Sequence, residues 1–489
     1  MQDFDYVVGN PPWVRWGYLA DEYRKATEKL WVDYGLFSLK GMAARLGAGE
    51  KDFSMLFLYA CADAYLKEGG WLGFVITQEV FKAKGAGEGF RRFRLGADGV
   101  PLKVIRAADL VSVKPFEGAA NKTAMIIAEK GTETTYPVPY ILWQKKKGVG
   151  NIDTAALLTD VIELTTRGEL QASPIGDRTT SWQTTREGQV GALARVRGKP
   201  AYKAYRGAST EPYGVFWLKV KTVRPDGFLV VENLPELGKR EIRKHDSAVV
   251  EPDLVYPAVR GRDIKRWHAR PEIYVVIVQD PATREGYPES RMKVEWPETY
   301  GYLLNFKHEL LNRGSRAVRE LAERTVFYTM YGIGTYTFAP YKVVWKRMAG
   351  DLVAAVVSTF PTPFGDRLGI ATDTTSLIPF DSAAEAHYVC ALLNSLPARV
   401  FIRSFSSAGR GFGAPSIINH VALPEYDFNN PLHGSLASLS QRAHVLASRG
   451  KEVEEELRRV EDEIDQKAAE VWGLAEEEMK DIEASLKED

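Results

Sequence analysis

Three features of this 489-residue sequence predict an α/β fold: a layered sheet, then an α+β region, then a C-terminal helical segment. Strand-like and helix-like stretches alternate over residues 1–130. From about 135 to 430, short β-like runs such as "VFWLKV", "IYVVIV" and "YKVVWKRM" are separated by long loops rich in proline and aromatic residues. Over residues 435–486 the apolar positions recur at helical spacing.

The elements follow in order. Phe4, Tyr6, Val7 and Val8 read as a short buried strand released by Gly9, and "NPPW" follows at once. Pro11 and Pro12 fix φ twice and remove two N–H donors, so they make a stiff turn that holds the Asn10 amide and the Trp13 indole at a strand end. In open α/β sheets, ligands bind there. "KDFSMLFLYACADAYLKEGG" (51–70) reads as a helix with a glycine stop, and "GWLGFVIT" (70–77) as a buried strand. "EGFRRFRL" (88–95) predicts a further helix, "LKVIRAADL" (102–110) a strand, and "FEGAANKTAMIIAEKG" (116–131) a loop running into a strand. Val453, Leu457, Val460, Ile464 and Val471 form a docking or coiled-coil face in the last segment. These signals divide the chain into domains at 1–134, 135–434 and 435–489.

Composition narrows the class. No apolar run approaches the roughly 20 residues of a membrane span, and no signal peptide precedes "FDYVVG". Cys61 and Cys390, the only cysteines, lie far apart in apolar stretches, which excludes cysteine-rich metal sites and suggests reduced thiols in a cytoplasm. No metal is expected. The formal net charge of zero conceals an asymmetry. Residues 451–489 carry 16 acidic against 6 basic residues, so the other 450 hold 58 basic and 48 acidic. A basic body with an acidic helical tail suits nucleic-acid binding, and it equally suits a mildly basic enzyme.

"NPPW" after a strand, then "LKEGG", "WLGFVIT" and "FEGAANKTAMIIAEKG" in that order, resembles the catalytic half of adenine-N6 DNA methyltransferases of the γ-type layout. "YPAVRGRDIKRW" (256–267), "YKVVWKRM" (341–348) and "ALLNSLPARVFIRSFSSAGRGFG" (391–413) are similar to the target-recognition part of large single-chain enzymes of restriction–modification and phage-defence systems. The tail "IDQKAAEVWGLAEEEMKDIE" also looks like the end of such proteins. The resemblance implies the catalytic half of a Rossmann-like methyltransferase sheet followed by a DNA target-recognition domain. In the family, the Asn side-chain oxygen and the first proline carbonyl, here Asn10 and Pro11, accept the hydrogens of the adenine amine. These acceptors push a delocalised nitrogen toward a nucleophilic geometry. Pro12 keeps the turn stiff, while Trp13 and Phe116 match the aromatics that stack a base flipped from the duplex. Trp16 could stack in place of Trp13, and an aromatic at Phe116 could equally be core.

The family holds S-adenosylmethionine with a glycine-rich loop after the first strand of the sheet and an acidic residue ending the next one. Only nine residues precede Asn10. "LGAGE" (46–50), "SSAGRGFGAP" (406–415) and "KGAGEGF" (84–90), the last with Asp109 about twenty residues on, all read as loops rather than cofactor loops. The expectation is an enzyme component incomplete without a polypeptide that carries the cofactor half, with possible nuclease or helicase companions. Its expected partner is double-stranded DNA, touched by Arg260, Arg262, Lys265, Arg266, Lys346, Arg347, Arg403 and Arg410. Two readings stand at this point: a catalytic subunit for adenine-N6 methylation, and an inactive DNA-specificity or structural subunit that retains the tetrapeptide.

Overall fold

Phe4–Gly9 (β1) is one of the two edge strands of a seven-stranded mixed sheet in the computed structural model, which describes residues 4–36, 52–82, 86–96, 98–118, 121–314, 316–406, 409–410 and 412–487. The other strands are Leu66–Thr77 (β2), Leu102–Asp109 (β3), Thr123–Lys130 (β4), Val138–Lys145 (β5), Thr165–Pro174 (β6) and Trp182–Thr185 (β7). They are arranged in the order β1-β2-β4-β3-β5-β6-β7. β1 runs parallel to β2, with Tyr6 opposite Trp71 and Gly9 opposite Phe74. β4 lies antiparallel between β2 and β3. Strand alternation sets the two faces: Leu72, Phe74 and Ile76 point into the core, and Trp71 points out. The α/β class predicted by the alternation is the observed one.

Two elements depart from their expected bounds. The first helix (α1) is Asp21–Asp33, and the second (α2) covers only Phe53–Ala64, with the Asp52 carboxylate accepting from Ser54 N at 2.9 Å as its N-cap. "LKEGG" is therefore strand, not helix end. The cause is Lys130, whose Nζ donates to the carbonyls of Ala62, Asp63 and Leu66 at 2.8, 3.2 and 2.8 Å. A cation there takes up carbonyls left open by the last turn and closes the helix before Leu66. The helix expected over 88–95 is reduced to Ala86–Phe90, because Leu102 N and Leu95 N bond to Phe93 O and Val100 O instead.

The chain forms two compact units: Met1–Gly191 with Ser404–Ser407, and Ala192–Arg403 with Ala408–Asp489. A boundary at 134/135 would fall inside one sheet, since β5 pairs with β3 across it. The C-terminal helices likewise lie within the second unit. That unit holds a six-stranded sheet, Ala248–Val250, Leu229–Asn233, Trp217–Val223, Ile273–Val276, Val255–Val259 and Ile370–Ala371 in spatial order. It also holds a four-stranded one, Ala354–Val357, Tyr341–Lys346, Thr375–Phe380 and Tyr205–Arg206. Helices Ala383–Asn394, Pro431–Arg449 and Glu454–Trp472 pack together beside the smaller sheet. Val460 and Ile464 of the expected docking face are buried there.

Candidate functional site

β1, β2 and β3 all end at one edge of the first unit's sheet, and antiparallel β4 begins there, with Thr77 opposite Thr123 and Asp109 opposite Ala124. The tetrapeptide leaves β1 at this edge. Asn10 is exposed, Pro11 is buried and anchors the turn, and Pro12 is exposed. Trp13 is half-buried, and its indole Nε1 donates to Val75 O of β2 at 3.2 Å. Asn121 Nδ2 reaches the Trp13 carbonyl at 3.4 Å from the start of β4. Phe116 comes in from the loop before β4, with its ring centroid 5.1 Å from that of Trp13 at an interplanar angle of 80°. It keeps 37% of its surface exposed. The two aromatics predicted from distant stretches are thus neighbours. Trp16 is not their substitute, because its ring packs edge-on against the fully buried Trp31 at 5.5 Å.

Behind this turn lies a polar network that sequence reasoning missed. The buried Asp109 accepts from Gln78 Nε2 at 3.1 Å, Tyr140 Oη at 2.9 Å and Val111 N at 2.9 Å. Burial, and then Asp109 itself, push the Tyr140 phenol well above its ordinary pKa, so it stays a donor. Burial also holds Lys122 below the usual lysine range, against the opposing pull of Glu79 and Asp109. Gln78 follows directly on β2, and its place at a strand end was the available signal. Of the glycine stretches, residues 46–50 and 83–85 lie outside the described residues. Asp109, the acid that would have served the third, has its carboxylate taken up by these three donors. Among the described residues no cluster of His, Cys, Asp and Glu suits a metal ion, and no helix is long and apolar enough to cross a membrane.

The eight expected DNA contacts all fall in the second unit, and they divide. Arg260 is buried, its Nε and Nη2 bound to Asp263 at 2.8 and 2.7 Å and Nη2 to Glu272 at 2.9 Å. It braces the turn from inside and is corrected to a structural residue. Arg266 donates to Glu461 Oε1 at 2.8 Å, an oxygen that also accepts Trp267 Nε1 at 2.7 Å, so the turn 266–267 is tied to the helix Glu454–Trp472. Arg262 and Lys265 face outward. Lys346 and Arg347 are half-buried at the end of Tyr341–Lys346, with Arg347 Nη1 on Asp373 O at 2.7 Å. Arg410 pairs through its backbone with Met348, and its side chain lies outside the described residues. Arg403 is half-buried on the helix Leu396–Phe405.

Comparison with known proteins fits this geometry. Residues 1–99 match the family described as Eco57I restriction-modification methylase. No curated protein matches the chain. Among solved structures, the chain is similar to the Type IIL restriction-modification enzyme MmeI in complex with DNA, with a TM-score of 0.55 and 13% identity over 98% of this chain. It spans 56% of that enzyme's length. Weaker likeness extends to the ATP-dependent Type ISP enzyme LlaBIII bound to DNA, at a TM-score of 0.43 and 9% identity, covering 90% of this chain and 29% of that one. The chain thus shares its fold with MmeI.

Proposed function

We propose that the chain is the amine-activating and DNA-reading portion of an adenine-N6 DNA methyltransferase in a restriction–modification or phage-defence system. One observation carries this reading: Asn10-Pro11-Pro12-Trp13 sits at the end of a parallel strand with Phe116 beside Trp13. An adenine swung out of the duplex would lie against these aromatics, its amine donating to Asn10 Oδ1 and Pro11 O. Two acceptors on the hydrogens draw the nitrogen toward a tetrahedral geometry and localise its lone pair, and no strong base is required. S-adenosylmethionine would supply the methyl group. Asp109, the acid placed about twenty residues after residues 84–90, is engaged by three internal donors, which supports placing the cofactor contacts elsewhere. We assign the larger part of that site to a further polypeptide portion, which would pair with β1. Nuclease or helicase components would complete such a system.

The test is methylation of duplex DNA by the chain combined with a polypeptide carrying the cofactor half. Asn10→Ala should lower the rate by about a hundredfold or more, since it removes a positioned acceptor, and should leave DNA affinity nearly unchanged. Near-normal methylation by that variant would refute the catalytic assignment. DNA binding with no methylation by any reconstituted pair would favour a DNA-specificity subunit instead.

A further inference from the structure

The loop 372–374, with Thr372 and Asp373 buried and Thr374 exposed, gathers three separate cation-bearing segments of the second unit. The Asp373 carboxylate, on a residue 5% exposed, accepts from Tyr213 Oη at 2.9 and 3.0 Å and from Arg206 Nη2 at 3.1 Å. Arg347 bonds twice to the same loop, Nη1 to Asp373 O at 2.7 Å and its backbone N to Thr374 O at 3.1 Å. The backbone N of Gly261 donates to Thr374 Oγ1 at 2.9 Å, which brings the turn bearing the exposed Arg262 alongside. Glycines make this convergence possible. A Cβ on Gly207 would sit 2.0 Å from Thr372 O, and one on Gly261 would sit 3.0 Å from Thr374 O. The backbone carbonyl of Tyr331, a residue 52% exposed, accepts from Ser209 N at 2.9 Å, close in sequence to Arg206.

We propose that this face, with Arg206 and Arg262 as its contacts, grips the phosphate backbone of DNA. The inference deepens the DNA-reading function proposed above and rests on it. Arg206 shows half its side chain to solvent while one nitrogen is held by Asp373, so a fixed guanidinium fork is left with donors facing outward. The central acid carries a single negative charge and is shared among internal donors, so Arg206, Arg262 and Arg347 together leave the face positive. Exposed Glu211 is the nearby acid that would oppose it. A guanidinium held by Asp373 and an exposed arginine on the adjoining turn match a backbone of regularly spaced phosphates better than an apolar protein partner.

The test is duplex-DNA binding by the full chain, followed by fluorescence anisotropy across a salt series. Each arginine that neutralises a phosphate adds about 0.9 to the slope of log K against log salt, so Arg206→Ala with Arg262→Ala should lower it by about two units. Arg206→Lys alone should keep the slope. Arg291→Ala, on the helix Glu289–Glu295, is the control and should leave it unchanged. If the alanine pair lowers the unfolding midpoint, Arg206→Gln with Arg262→Gln replaces it, with the same loss of slope expected. An unchanged slope in a folded double variant, while the parent chain binds, overturns this face and leaves the DNA-reading function standing. A parent chain that binds no duplex at all overturns both.

Discussion

Arg260 and Arg262 are separated by one position and do different work. Arg260 sits beside Asp263 in the interior, both side chains at most 5% exposed, and its guanidinium also reaches Glu272. Removing it would strand a buried carboxylate, so Arg260→Ala should cost roughly 3–5 kcal/mol of stability in a denaturant titration. Arg262→Ala, on an exposed side chain, should stay within about 0.5 kcal/mol. Equal effects of the two changes would mean that the Asp263 pair is not what holds the turn. The charge density of "RGRDIKRW" was legible in the sequence. Which of its cations turn inward was not, because Glu272 and Glu461 are brought to them by other elements.

At the scale of elements, cross-strand and cross-helix partners decide where segments stop. Lys130→Met would keep an apolar stem on β4 and lose three bonds, two to the end of α2 and one to Leu66 at the start of β2. The expected cost is about 2–4 kcal/mol, read by urea unfolding together with faster amide exchange over residues 60–66. A second case concerns the helix Pro431–Arg449. His444 Nε2 accepts from Val356 N at 2.9 Å, and its Nδ1 donates to Ser440 O at 2.7 Å, so the neutral ring is fully satisfied. Burial lowers its pKa from 6.5 to about 3 and that of neighbouring His387 to about 4. Below pH 6.5 the unfolded chain takes up these protons and the folded chain does not, so stability falls as pH falls. Each histidine should contribute about 1.4 kcal/mol per pH unit until its folded pKa is reached. Burial raises Asp465 to about 7, which gives an opposite slope between its ordinary 3.8 and that value. Replacing His444 by Gln should therefore remove one proton's worth of acid sensitivity between pH 6.5 and 4. An unaltered pH profile would show that His444 is already charged in the fold.

At the scale of the whole molecule, the exposed edge of the first unit's sheet matters most. β1 ends the strand order, and Phe4, Tyr6 and Val8 are 51%, 74% and 82% exposed on one face of it, so the apolar run expected to be buried is not, because only one neighbouring strand among the described residues pairs with it. An open edge with apolar side chains is a place for further pairing. If the cofactor contacts come from a portion paired there, the chain alone should bind S-adenosylmethionine about a hundredfold or more weaker than intact relatives, from a few kcal/mol of absent contacts. Calorimetry of the chain alone, and then with the added strands, measures this; micromolar affinity alone would refute the division. Tyr6→Glu with Val8→Glu should abolish the gain from the added strands and leave the second unit's unfolding unchanged. The sequence by itself determined the α/β class, the stiff turn after β1 and the apolar spacing of the C-terminal helices, because each rests on local backbone restriction or short-range periodicity. Tertiary structure alone decided that Trp13 meets Phe116, that Asp109 is spent on Gln78 and Tyr140, and that the first unit's sheet runs on to Thr185. The reason is physical: hydrogen bonds and ring contacts between residues 30 to 100 positions apart depend on which strands become neighbours, and that order is set by burial of the whole sheet rather than by any one stretch.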